Sequence, residues 1–68
     1  MAIVKIRELI GASEKSFKDA IEQLVEHETK KGKNISGVDV VGQTVRVKDG
    51  KITEYRVNCK VAYLWKEE

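Results

Sequence analysis

Apolar and polar residues alternate along the last third of the chain, and this period of two predicts a long β-hairpin over Ile35 to Trp65. The turn falls at Asp49-Gly50, a pair typical of type I′ turns, whose positive φ values match the twist of the strands they join. One face of the second strand is an apolar series: Tyr55, Val57, Cys59, Val61, Tyr63 and Trp65. Strands of about a dozen residues are roughly twice the usual length for a small domain. The hairpin therefore presents more sheet surface than the rest of the chain can cover.

The residues before the hairpin predict one strand and one helix. Ala2 to Ile10 reads as a strand, and Gly11-Ala12-Ser13 predicts a break in which Ser13 is the helix N-cap. The apolar stripe of the helix, which runs to about Thr29, consists of Phe17, Ala20, Ile21, Leu24 and Val25. Gly32 is the expected C′ residue after the helix. The pattern predicts a single α+β domain over residues 1–68, with β-α-β-β order and a three-stranded antiparallel sheet wrapped around one helix.

The first hairpin strand changes its apolar register part-way along. Val38 and Val40 occupy even positions, whereas Val45 and Val47 occupy odd ones. Both pairs can face the helix only if the strand gains one residue between them. Val41-Gly42 is the natural place for such a β-bulge, because glycine tolerates the unusual backbone angles. A bulge would let one half of the hairpin cover its own helix and the other half contact a neighbouring subunit.

The length of the chain strengthens the case for self-association. A domain of 68 residues buries only about 60% of the surface that its unfolded chain exposes, and such domains usually gain stability from disulfides, a metal or oligomerisation. One cysteine and one histidine make neither an internal disulfide nor a structural zinc site. A second copy of the same chain is therefore the expected partner.

Charge and hydropathy remove several other partners from consideration. The net charge is only +2, from 13 basic and 11 acidic side chains. The one basic cluster, Lys30, Lys31 and Lys33, lies where the helix should end and where cations complement the helix dipole, so we expect no nucleic-acid binding. The first ten residues include three charged side chains, which argues against a signal peptide, and no apolar run approaches the ~20 residues that span a bilayer. The expected location is the cytoplasm, with no membrane partner.

The residue types that usually carry catalysis are isolated in this sequence. There is no phosphate-binding glycine loop, nucleophile elbow or cluster of metal ligands, so we predict neither an enzyme nor a metal site. Cys59 is expected to be buried and inert, and His27 to be partly exposed. Asp39 and Glu54 could line a pore or bind a hard cation once symmetry multiplies them. Trp65 is expected to pack in the core or at a subunit contact, with a ring platform for a ligand as the alternative.

The order and spacing of several segments resemble the dodecin family. These segments are 9–13 (LIGAS), 16–21 (SFKDAI), 38–43 (VDVVGQ), 50–57 (GKITEYRV) and 60–63 (KVAY). The resemblance runs nearly from end to end and implies a β-α-β-β subunit that assembles into a hollow homo-dodecamer. Many dodecins bind flavins, so the resemblance also implies riboflavin or flavin mononucleotide (FMN) as a cofactor.

The resemblance places a flavin pocket between symmetry-related hairpins. Its expected lining residues are Ser36, Gly37, Val38, Gln43 and Arg56. In flavin-binding dodecins a tryptophan stacks on the ring at the position that aligns with Gly37, and glycine offers no such surface. Leu64 aligns with a position that is basic in some members. The sequence therefore leaves two alternatives. One is a shell that binds flavin with fewer contacts, and the other is a structural shell that has lost flavin, for which cations or another small ligand are the alternative cargo.

Overall fold

A computed structural model describes residues 2–66 of the protein. Its elements, in chain order, are β1 (Ala2–Ser13), α1 (Phe17–Lys30), β2 (Ile35–Lys48) and β3 (Lys51–Lys66). The three strands form one antiparallel sheet in the order β1-β3-β2. The predicted β-α-β-β order, the three-stranded sheet and the single helix are thus confirmed. β3 is the central strand, and the other two form the sheet edges.

The long hairpin has the predicted turn. Asp49 and Gly50 take φ values of 52° and 76°, the left-handed backbone that a type I′ turn needs at both central residues. The strands on either side contain 14 and 16 residues. The sequence pattern therefore identified both the turn and the unusual length of the two strands.

The predicted bulge is present, but β2 has two further register shifts, one between Ile35 and Gly37 and one after Arg46. The register of β2 shifts between Val40 and Gly42, which brings Val45 to the same sheet face as Val38. A further shift after Arg46 pairs Val47 with Ile52, a residue of the opposite face. The prediction that Val47 faces the helix is therefore wrong, and this side chain is 60% exposed.

The start of the helix also differs from the prediction. β1 continues to Ser13, which pairs with Tyr55, so residues 11–13 extend the strand instead of breaking it. Ser16 is the N-cap: its backbone is extended and its hydroxyl accepts a hydrogen bond from the Asp19 N–H at 2.9 Å. The hydroxyl of Ser13 instead accepts from the Lys15 N–H and donates to the Asp19 carboxylate. At the other end Gly32, with φ of 83°, is the C′ residue as predicted.

The helix packs on one face of the sheet, here called the inner face. Its buried apolar residues meet four side chains of β3, and together they form the core: Ala20, Leu24, Val57, Cys59, Val61 and Tyr63. Burial, followed by the nearby charge of Asp39, raises the pKa of the Cys59 thiol. The expectation that Cys59 is buried is confirmed, and a buried, protonated thiol is a poor nucleophile.

Gly11 is the point of closest approach between strand and helix. A Cβ added there would lie 2.8 Å from the Ala20 carbonyl oxygen and 3.2 Å from a methyl carbon of Leu24. We predict that Gly11→Ala lowers the free energy of unfolding by about 1–3 kcal/mol, because the helix must shift away from the sheet. Urea denaturation at a fixed protein concentration measures this loss. Gly37→Ala is the matched control, since a Cβ there meets no atom within 4 Å, and equal losses in the two variants would contradict the prediction.

A single chain is too extended to be a compact monomer. The radius of gyration is 14.0 Å, against about 11 Å for a compact domain of this length. The accessible surface is 5237 Å², whereas a compact monomer of this mass exposes roughly 4,300 Å². Apolar side chains that are more than half exposed include Val4, Ile6, Ile10, Val41, Val47 and Ile52. This surface is what the sequence predicted a second copy would cover.

Candidate functional site

The face of the sheet turned away from the helix, here called the outer face, is bare in the single chain. Strand pairing arranges its side chains in rows across the three strands. One row is apolar and consists of Ile6, Ala62 and Gly37, and the next consists of Glu8, Lys60 and Asp39. The cation in the centre of the second row stands between two carboxylates. The outer face therefore joins an apolar surface to a charged row in which two carboxylates flank one cation.

Gly37 leaves a depression in this apolar row. Its φ is not in the left-handed region, and a Cβ built on it meets no atom within 4 Å. Beside it, the hydroxyl of Ser36 donates a weak hydrogen bond to the Ala62 carbonyl at 3.4 Å. Neither the backbone nor the neighbouring side chains of the chain require glycine here. The position can hold a large side chain or a ligand.

The other predicted pocket residues do not converge on Gly37 within one chain. Val38 pairs with a core residue of β3 and packs against the core from the inner face. Gln43 pairs with Val57, so it belongs to the same face as Val38. Arg56 is on the outer face, but six positions along β3 from the partner of Gly37, which corresponds to roughly 20 Å. A pocket that uses Ser36, Gly37 and Arg56 together therefore needs residues from more than one chain.

Arg56 is already engaged by a carboxylate. Its Nε atom donates to Glu54 Oε1 at 2.5 Å, and both side chains are partly buried. This contact also accounts for Glu54, one of the two carboxylates considered as a cation ligand. The other, Asp39, faces Lys60 across the strand pair. Within residues 2–66, no three histidine, cysteine, aspartate or glutamate side chains are grouped closely enough to hold a metal ion.

Glu28 is a buried charge that was not predicted from the sequence. It lies in the apolar stripe of the helix, four residues after Leu24, and is 3% exposed. The hydroxyl of Tyr63 donates to Glu28 Oε1 at 2.6 Å, while Oε2 lies 3.2 Å from Nδ1 of His27 and 3.6 Å from Nζ of Lys31. The signal available in the sequence was the helical spacing, which places residue 28 on the buried stripe. His27 itself is well exposed, as predicted.

This buried carboxylate should make the fold sensitive to acid. The hydrogen bond from Tyr63 lowers the pKa of Glu28 below its ordinary value of 4.5, burial opposes the change, and His27, Lys31 and Arg7 assist it. A carboxyl group whose pKa is lowered in the native state stabilises the fold at pH values above its pKa in the unfolded chain. This stabilisation is lost as the pH falls through the native pKa.

We predict that Tyr63→Phe lowers the free energy of unfolding by about 1–3 kcal/mol at neutral pH, because the buried carboxylate loses its donor. The deficit relative to the unsubstituted protein should narrow as the pH falls below the ordinary pKa of 4.5 and through the lowered native pKa of Glu28, where this carboxylate becomes protonated. Denaturation curves across this range measure it. A deficit that stays constant with pH would show that packing, and not the charge, is responsible.

A sequence profile of the dodecin family matches residues 3–66. The chain belongs to the dodecin family. Dodecins are non-enzymatic binding proteins, so this family assignment agrees with the prediction that the chain is not an enzyme. No helix of the described residues is long and apolar enough to cross a membrane. No curated protein sequence matches the chain.

Solved structures of dodecins share the fold of this chain. A Thermus thermophilus protein is 22% identical with a TM-score of 0.90, and the match covers both chains fully. Dodecin from Streptomyces davaonensis is 21% identical with a TM-score of 0.89 over 97% of each chain. The calcium-chelating antigen calcium dodecin from Mycobacterium tuberculosis is 27% identical with a TM-score of 0.78, over 97% of this chain and 91% of that one. Dodecins similar to this chain thus include one described by its calcium site.

Proposed function

We propose that this dodecin assembles into a closed, hollow homo-dodecamer in the cytoplasm and that the shell binds a small ligand between symmetry-related hairpins. The observation that carries the assembly is the uncovered apolar surface of a chain whose radius of gyration is 14.0 Å. A symmetric assembly buries one such surface repeatedly and multiplies each side chain into a set. That multiplication also supplies what the single chain lacks, namely a second Gly37 and an Arg56 from another subunit.

Flavin is the first candidate ligand. The family supplies the precedent, and the depression over Gly37 supplies an apolar space for a planar ring. Ser36 offers a hydroxyl beside it, and Arg56 offers donors for ring carbonyl oxygens or for a phosphate. Val38 and Gln43 belong to the other face, so their contribution to this pocket would come through the backbone. Gly37 would supply no stacking surface for the ring, and we therefore expect modest affinity.

A second candidate is a shell that holds no flavin. Two observations favour it: Gly37 presents no aromatic surface, and the Arg56 guanidinium is bound to Glu54. A calcium-binding dodecin among the similar structures makes a cation an alternative cargo. In this version, a ring of Asp39 carboxylates in the assembly would attract the ion, and Glu54 would join it only if Arg56 released its carboxylate.

Titration of riboflavin and FMN against the purified assembly separates the two candidates. Flavin binding predicts saturable quenching of flavin fluorescence at micromolar concentration. No quenching up to about millimolar, where little binding free energy remains, would support the shell without flavin. Calcium titration of the same preparation by calorimetry then tests the cation. Arg56→Ala should weaken FMN more than riboflavin if the guanidinium contacts the phosphate.

A further inference from the structure

A cavity lies on the inner face, on the opposite side of the sheet from Gly37. It has a volume of about 410 Å³, within the usual range for small-ligand sites. Its walls are β1, the end of β3 and the segment 32–34 that follows the helix. The helix does not reach this region, because it ends at Lys30 and the chain turns at Gly32. Asn34 then fixes the segment to the sheet by accepting a hydrogen bond from the Leu64 N–H at 2.8 Å.

The cavity is strongly basic. Lys5, Arg7 and Lys33 line it, and among residues 2–66 no carboxylate contributes to its lining. Arg7 also faces Glu28, but that carboxylate accepts its hydrogen bond from Tyr63 and belongs to the helix–sheet packing. The last helical carbonyls are occupied as well, since those of residues 28 and 29 accept hydrogen bonds from the N–H groups of residues 31–33. Three cations of the described residues therefore line one cavity.

An aromatic surface adjoins these cations. Trp65 lines the same cavity and is 54% exposed. The ammonium of Lys5 lies 3.5 Å from the centroid of its ring, a cation–π contact that fixes a positive charge beside a flat apolar surface. The predicted role of Trp65 in core packing is thus not realised within the single chain. Cations that can contact a phosphate beside an exposed indole are the components from which phosphate-bearing ring compounds are recognised.

We propose that this cavity binds the phosphate group of a small organic ligand whose planar ring packs against Trp65. Arg7 supplies a rigid set of N–H donors for the phosphate oxygens, and Lys5 and Lys33 supply charge. The site is independent of the proposed flavin pocket, since the two lie on opposite faces of the sheet.

Trp65 is the only tryptophan in the chain, so its fluorescence in the assembled protein reports on this cavity directly. The probes are adenosine monophosphate (AMP), adenosine and inorganic phosphate, each titrated at low and at high salt. AMP should change the emission saturably, inorganic phosphate should compete with it more weakly, and adenosine should bind at least about tenfold more weakly than AMP, the factor that one charge-assisted contact provides. Added salt should weaken AMP binding.

Two variants connect the signal to the cations that line the cavity. Arg7→Ala and Lys33→Ala should each weaken AMP binding by about tenfold or more. Lys51→Ala, which removes the same charge at the hairpin turn, should leave it unchanged. The proposal is overturned if AMP gives no saturable change, if adenosine binds as tightly as AMP, or if the Lys51 variant loses as much affinity as the others. It is also overturned if Trp65 in the assembly is inaccessible to acrylamide, since a neighbouring subunit would then fill the cavity.

Discussion

Replacing Ile6 and Ile10 together with lysine is expected to break the assembled particle into species of one or two chains. The two isoleucines lie on the outer face of β1 and are 63% and 66% exposed in the single chain. Exposed substitutions change the stability of a chain by only about 0.5 kcal/mol, so the subunit fold itself has little to lose. Burying an isoleucine at an interface, however, contributes about 1.5–3 kcal/mol per side chain. Symmetry repeats the loss in every subunit and adds like charges that repel one another.

Sedimentation velocity at micromolar concentration measures the effect. A matched control is Glu22→Lys, a charge change on the exposed side of the helix, which should leave the particle size unaltered. Circular dichroism of the dissociated double variant should still show helix and strand, although its melting temperature should fall. An intact particle in the double variant would mean that the outer face of β1 is not a subunit contact.

Gly37→Trp is expected to strengthen flavin binding by roughly 5- to 150-fold, the equivalent of about 1–3 kcal/mol of ring stacking. The structure gives no steric objection to the change, because the backbone of Gly37 is not left-handed and the space above it is open. The indole would extend the apolar row that Ile6 and Ala62 begin. Fluorescence titration with riboflavin measures the gain, and particle size is recorded on the same sample.

Gly37→Ala is the control for this substitution, since it tests whether a side chain is tolerated without providing a ring. It should assemble normally and bind flavin about as the unsubstituted protein does. An intact Gly37→Trp particle without any gain in affinity would show that Gly37 does not line the flavin pocket. Loss of the particle in both variants would show that a neighbouring subunit approaches this backbone closely.

The sequence predicted most of the fold because the elements are governed by local patterns. The period-two apolar series of β3 and the Asp49-Gly50 turn each have one good structural solution. The errors lie where a local rule met a competitor. Ser13 has the chemistry of an N-cap, but pairing with Tyr55 held it in the strand, and Ser16 took the cap. Val45 and Val47 both occupy odd positions, but the register shift after Arg46 placed Val47 on the other face.

The candidate sites were less predictable, because they depend on contacts between distant segments or between chains. Glu28 looks like an ordinary helix-surface glutamate until its position on the apolar stripe and its partner Tyr63 are considered together. The basic cavity brings together Lys5 of β1, Lys33 from the segment after the helix, and Trp65 near the end of β3. Gly37 and Arg56 were expected in one pocket, yet a single chain keeps them roughly 20 Å apart. The two residues can meet only between symmetry-related chains, and the spacing of residues in one sequence does not reveal such contacts.

Native mass spectrometry of the purified protein with added riboflavin tests the proposed shell most directly, since one spectrum reports both assembly and ligand. A closed shell that binds flavin predicts a single dominant species of about twelve times the 7.7 kDa chain mass. This species should carry bound riboflavin that is lost under stronger activation. A spectrum dominated by one or two chains at micromolar concentration would contradict the closed shell. A twelve-chain species that never carries riboflavin would contradict flavin as its ligand.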